Sequence, residues 1–157
     1  MIGEALAGGV LGTFVLATLF RLATELGLTR LDFALILGTL VTSRRRRARA
    51  LGYLLQVALG MLFAVAYALL FLTIGWSTWW FGALLGLIHA VFVATVLLNV
   101  LLPAIHPTMG TPGTSAKKIV LIEPPGFLMH NYGPNTFAVM LVTHAIFGAI
   151  LGWIIHV

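Results

Sequence analysis

Two histidines lie in long apolar segments that contain no Asp, Glu, Lys or Arg, and they are the side chains best placed to do chemistry. His89 follows Gly86 by three residues, and His144 precedes Gly148 by four. Residues three or four apart share one face of an α-helix, so each imidazole stands on a glycine face that lets a second helix approach closely. If the two glycine faces pack together, the two imidazoles meet.

Two uses of this histidine pair stay open. Imidazoles on facing helices could ligate a haem or a chlorin, or hold a quinone, and the glycines beside His89 and His144 would admit a ring. Alternatively, each imidazole donates a hydrogen bond to a backbone carbonyl, to Gln56 or to the other histidine. Close glycine packing favours this second use, because it leaves little space for a porphyrin.

A second set of candidate ligands lies in the proline-containing part of the chain. His106 and His130 could bind copper or zinc with the help of Met109, Glu123 and Met129. Their spacing matches no known metal motif, so His106 and His130 are weak candidates and no metal site is expected. The chain has no cysteine, which removes thiolate ligands. It also has no phosphate-binding loop, HExxH or GxSxG pattern, so we expect no enzyme.

The elements that carry these residues are predicted by composition. Of the 157 residues 61% are hydrophobic and only 8% are charged, and the formal net charge is +5. A soluble domain has roughly a quarter of charged residues, so this chain has too few to cover a surface in water. The composition indicates an integral membrane protein, and its basic residues are expected to contact anionic lipids and no nucleic acid.

Apolar periodicity predicts an all-α fold, a four-helix transmembrane bundle. The spans are expected at about 2–26, 51–74, 81–102 and 136–156, each long enough for a hydrocarbon core about 30 Å thick. A capping-box pattern at Thr29–Asp32 opens a shorter apolar run, which predicts an interfacial amphipathic helix at about 29–43. All six prolines lie between 103 and 135, which predicts one long cytoplasmic loop there.

A run of arginines separates the short helix from the second span, and it determines the expected topology. Fixed positive charge stays on the cytoplasmic side, which places Arg21, Arg30, Lys117 and Lys118 on that side as well. All four tryptophans then lie at the opposite interface. This topology predicts a bacterial inner-membrane protein with both termini on the periplasmic side. We expect lipid headgroups to bind the arginines of the run, which are Arg44, Arg45, Arg46, Arg47 and Arg49.

Three segments together are similar to a known kind of protein: GLIH at 86–89, LPAIHP at 102–107 and THAIFGAILG at 143–152. They resemble the small bacterial four-span inner-membrane proteins of the YagU-like kind. The resemblance implies the four-span architecture and carries over no activity or site residue. Gln56 stands where the resemblance leads us to expect a histidine.

Two functions follow as expectations. The first is a non-catalytic accessory subunit of a larger, energy-transducing membrane complex, with other integral membrane subunits as partners. It is favoured by a small chain with glycine faces on its helices and no catalytic motif. The alternative is a haem-, pigment- or quinone-binding electron-transfer protein that uses His89 and His144.

Overall fold

The computed structural model describes residues 1–107, 109 and 122–157. In these residues the protein is all-α, and one isolated β-bridge joins Met109 and Ile122. Four long helices are apolar enough to cross a membrane, which confirms the predicted bundle. The helices are α1 (Ile2–Glu25), the short α2 (Phe33–Thr39), α3 (Arg45–Ile74), α4 (Trp79–Ile105) and α5 (Thr136–Ile154).

The long helices pack antiparallel through glycines, in the order of neighbours α3, α1, α5 and α4. A Cβ at Gly82 of α4 would overlap the carbonyl oxygen of Gly148 in α5. Gly9 of α1 lies against the backbone of α3, and Gly12 lies against Phe147 of α5. Because the helices alternate in direction, both chain ends lie at one end of the bundle and the arginine run at the other.

The start of α3 differs most from the expected bounds. The helix begins at Arg45 and not at about residue 51, because arginine is a good helix former and the added turns have a packing partner. Ala48 is fully buried there, and a Cβ at Gly52 would overlap the carbonyl oxygen of Ala34 in α2. The arginine run is therefore part of a helix that α2 holds in place.

Helix α2 spans seven residues, where the sequence predicted a helix over 29–43. Its N-cap is Asp32, whose carboxylate accepts a hydrogen bond from the backbone N–H of Leu35 at 2.9 Å. Thr29, the expected cap, lies outside the helix, and its hydroxyl is 2.8 Å from that of Thr136 in α5. The apolar face of α2 packs into the bundle against α3.

The second half of α4 is a π-helix over Val93–Leu101. The Asn99 carboxamide donates a hydrogen bond to the carbonyl of Ala94, five residues earlier. This is the same spacing as that of the backbone hydrogen bonds in a π-helix. The helix then continues through Pro103 to Ile105, past the expected end at about 102. Proline is tolerated here because it lies at the start of a new α-helical turn.

Part of the predicted long loop is a compact turn at Phe127–Tyr132, where Leu128 and Met129 adopt positive φ angles of 48° and 60°. The Tyr132 hydroxyl donates a hydrogen bond to the carbonyl of Glu123 at 2.5 Å. Burial, with the nearby Glu123 carboxylate, raises the pKa of Tyr132 to about 12. Lys117 and Lys118, expected on the cytoplasmic side, lie outside the described residues.

Candidate functional site

The glycine contact between α4 and α5 brings the two predicted histidines together. A Cβ at Gly86 would overlap the carbonyl oxygen of His144, so the backbones of the two helices are in contact next to the imidazoles. The ring centroids of His89 and His144 are 5.0 Å apart, and the rings are perpendicular, edge to face. The proximity predicted from the glycine spacing is confirmed.

Among the residues that the structure describes, the two ring nitrogens of His89 have one hydrogen-bonding partner between them. The Tyr67 hydroxyl of α3 lies 3.4 Å from Nδ1, and the ring packs on Phe63 with centroids 4.1 Å apart. Nε2 is buried and has no partner among the described residues. Such an orphaned polar atom costs roughly 1–3 kcal/mol, and a polar group bound at Nε2 would recover that energy.

His144 is buried, and its proton position is determined by its own helix. Nδ1 lies 3.0 Å from the backbone carbonyl oxygen of Met140. A carbonyl oxygen only accepts, so Nδ1 carries the proton and Nε2 of the neutral ring has a free lone pair. The pair therefore offers an acceptor on His144 beside an unpaired nitrogen on His89.

Both imidazoles line an apolar cavity of about 240 Å³. Its walls come from all five helices, with Thr13 of α1, Leu37 of α2, Gln56 of α3 and Leu97 of α4 among them. Leu101 and Ile105 line the cavity and are also exposed on the outside of the bundle. The cavity therefore opens sideways beside the C-terminal half of α4, at the end of the bundle that holds the arginine run, where a membrane would place lipid.

The volume of this cavity and the contact between the two imidazoles bear on the ring systems expected from the sequence. It is larger than the ~150 Å³ cavity that holds benzene and smaller than the ~300–1,000 Å³ of typical drug-sized sites. One substituted ring fits it. A haem held by both imidazoles does not fit, since the macrocycle would have to lie between rings that already touch. A single six-membered ring, as in a quinone, matches the space.

Gln56 adds a third polar group to the cavity wall. The sequence left open that Gln56 accepts a hydrogen bond from an imidazole, but within the part of the chain that the structure describes its carboxamide has no hydrogen-bond partner. Its side chain is 9% exposed and lines the cavity. Gln56 thus leaves one acceptor oxygen and two N–H donors free for a ligand.

The π-helical part of α4 is the functional element that the sequence analysis missed. Val93, Leu97 and Leu98 all come from it, and all line the cavity. π-helical turns are frequent at functional sites, because an additional residue in the turn displaces the helix surface. The only sequence signal was Asn99, a polar residue near the end of an otherwise apolar segment.

The two weak metal candidates, His106 and His130, lie in different surroundings. Nε2 of His106 lies 3.0 Å from the carbonyl oxygen of Ile36 and 3.1 Å from the Thr39 hydroxyl, so this ring joins the end of α4 to α2. His130 is exposed in the compact turn. Over residues 1–107, 109 and 122–157, no three His, Asp or Glu side chains are grouped so as to hold a metal ion.

The arginine run forms the N-terminal end of α3. Arg44 is the N-cap residue, and Arg45, Arg46 and Arg47 are exposed in the first turn. Arg49 is half-buried, and its Nε donates to the Asp32 carboxylate at 2.8 Å. The five arginines predicted to contact lipid headgroups are therefore not equivalent, because Arg49 turns inward.

No family model, no curated protein and no solved structure matches the chain. The resemblance to YagU-like proteins stays a prediction.

Proposed function

We propose that this chain is a multi-pass membrane protein that binds one quinone-class molecule in the cavity beside His89 and His144. One observation carries the proposal. His89 lines an apolar cavity of about 240 Å³, and Nε2 of this ring is buried without a partner among the described residues. Polar atoms in such a place are normally satisfied, and a ligand oxygen would satisfy this one.

The two imidazoles suit both states of a quinone. If the Tyr67 hydroxyl donates to Nδ1 of His89, the proton of the neutral ring is on Nε2, which can donate to a quinone carbonyl. Nε2 of His144 accepts, so it can take a hydrogen bond from the hydroxyl of the reduced quinol. The apolar walls match the ring and its alkyl substituents.

The test is a titration with a soluble short-chain quinone in nanodiscs, with binding followed by calorimetry. His89→Phe and His144→Phe keep an aromatic ring and remove the nitrogens. Each is expected to weaken binding about tenfold, which corresponds to one lost hydrogen bond. The matched control is His156→Phe, because His156 is exposed near the chain end and lies outside the cavity.

Unchanged binding in both cavity variants would contradict the proposal. So would equal losses in those variants and in His156→Phe, because a change at the chain end cannot act through the cavity wall. Thermal midpoints of all three variants in the same nanodiscs separate weak binding from poor folding.

The accessory-subunit hypothesis remains a second proposal, with less support than the sequence suggested. Gly9, Gly12, Gly82 and Gly148 all pack inside the chain, so they are not free for a partner subunit. What still favours it is that most of the described chain lies in four apolar helices. A partner complex would be identified from whatever co-purifies with the native protein.

We also propose that the membrane is a bacterial inner membrane, with the arginine-bearing end in the cytoplasm and both termini in the periplasm. The salt-bridge distance of 3.5 Å between His156 Nδ1 and the Glu4 carboxylate supports a shared end for the termini. Because the chain has no cysteine, a single Ser77→Cys or Ser43→Cys variant is a clean reporter.

A membrane-impermeant maleimide is expected to label Ser77→Cys in intact spheroplasts. Ser77 lies in the turn between α3 and α4, at the end of the bundle that is proposed to face the periplasm. Ser43→Cys, beside the arginine run, is expected to react only after permeabilisation. Labelling of Ser43→Cys before permeabilisation, with Ser77→Cys protected, would invert the proposed topology.

A further inference from the structure

A second cavity, of about 220 Å³, collects arginines from three separate segments at the arginine-bearing end. Arg21 comes from α1, Arg30 from the connection to α2, and Arg45 and Arg49 from α3. Arg21 and Arg30 lie outside α3 and outside the arginine run, so this grouping is a product of the fold and not of the run alone.

The charges around this cavity do not balance. Asp32 pairs with Arg49 at 2.8 Å, and Glu25 pairs with Arg21 at 2.7 Å. Four arginines line the cavity and only two of them have a carboxylate partner, which leaves a surplus of two positive charges.

The guanidinium groups also keep hydrogen-bond donors free. Arg21 and Arg49 each use Nε for their carboxylate, and Arg30 uses Nη2 for the Asn131 carbonyl at 2.7 Å. Arg45 has no hydrogen bond or ion pair among the described residues. Arginine N–H groups bind phosphate oxygens in pairs, with charge-assisted hydrogen bonds.

The rest of the wall is mixed: Thr24, Tyr53 and Gln56 are polar, and an apolar part comes from residues that include Ala17, Phe20, Phe33 and Leu35. A free ion would gain nothing from that apolar part, whereas an amphiphile would place its chain there and its headgroup among the arginines. We propose that this cavity binds a phosphate group that carries two negative charges, as the phosphomonoester headgroup of a lipid does.

The proposed site predicts different roles for Arg45 and for Arg46, the next residue in the chain. Arg45 lines the cavity, whereas Arg46 is exposed and does not. If the arginine run merely attracted an anionic surface, the two residues would contribute alike. If the cavity is the site, Arg45 contributes and Arg46 does not.

The experiment measures the thermal midpoint of the full chain in micelles that contain phosphatidylcholine with rising fractions of phosphatidic acid. The wild-type midpoint is expected to rise and saturate with phosphatidic acid. Arg45→Gln is expected to need roughly tenfold more of this lipid for the same shift, which is the loss of one charge-assisted hydrogen bond. Arg46→Gln is expected to stay within about twofold of the wild type, since surface charges act weakly.

A second arm adds inorganic phosphate to phosphatidylcholine micelles at matched concentration. A smaller shift than with phosphatidic acid identifies the lipid as the source of the phosphate. An equal shift overturns the lipid assignment. Equal losses in Arg45→Gln and Arg46→Gln, or no shift with phosphatidic acid in the wild type, overturn the site.

Discussion

The Leu97→Trp variant is expected to lose at least a hundredfold in quinone affinity. Leu97 is half-buried, and it lines the cavity from the π-helical part of α4. An indole has a much larger buried surface than an isobutyl group, and the cavity has only about 240 Å³ to receive it. The added ring would occupy the place of the ligand ring. Calorimetric titration with a short-chain quinone in nanodiscs measures the loss.

The control makes the same change on the lipid-facing side of the same helix. Leu84 is 48% exposed and does not line the cavity, so Leu84→Trp is expected to bind the quinone as the wild type does. If Leu97→Trp binds within threefold of Leu84→Trp, the cavity is not the binding site. His89 and His144 would then be a contact between helices, which is the second use that their sequence spacing allowed.

The meeting of the two histidines could be predicted because it depends on helical periodicity alone. Gly86 and His89 share a face for any α-helix, as do His144 and Gly148. Small residues on two such faces favour contact in a membrane, and the structure has that contact. The four spans could also be predicted from local information, because length and hydropathy are properties of each segment.

The cavity could not be predicted, because its shape depends on side chains from five helices. No local pattern encodes how these side chains leave space between them. Val93, Leu97 and Leu98, which line the cavity, come from π-helical turns that a local pattern does not predict either. Asn99 signalled them only weakly, since one asparagine in an apolar segment is also compatible with an ordinary α-helix.

The bounds of α2 show how tertiary contacts can override a local motif. Thr29 begins a sequence pattern that normally starts a helix, but its hydroxyl bonds to Thr136 of a distant helix. Asp32 then takes the N-cap position, and its other carboxylate oxygen binds Arg49. A pattern read within four residues cannot include partners that lie 17 or 107 positions away.

The Gly82→Val variant is expected to lower the free energy of unfolding by about 3 kcal/mol, the upper part of the range for overpacked interiors. A Cβ at residue 82 would overlap the backbone carbonyl of Gly148. Backbone atoms in two packed helices cannot rotate away as a side-chain end can. Helices α4 and α5 must therefore separate, and the edge-to-face contact of His89 and His144 opens with them. Unfolding in mixed micelles of increasing dodecyl sulfate fraction measures the loss.

Gly3→Val is the matched control, because a Cβ at residue 3 meets no atom within 4 Å. Valine is a slightly better helix former than glycine, so both variants gain a few tenths of a kcal/mol within their own helix. A loss seen only in Gly82→Val therefore comes from the contact between α4 and α5. Wild-type stability of Gly82→Val would show that α4 and α5 do not touch through their glycines. The approach of the two imidazoles, on which quinone binding depends, would then have no structural basis.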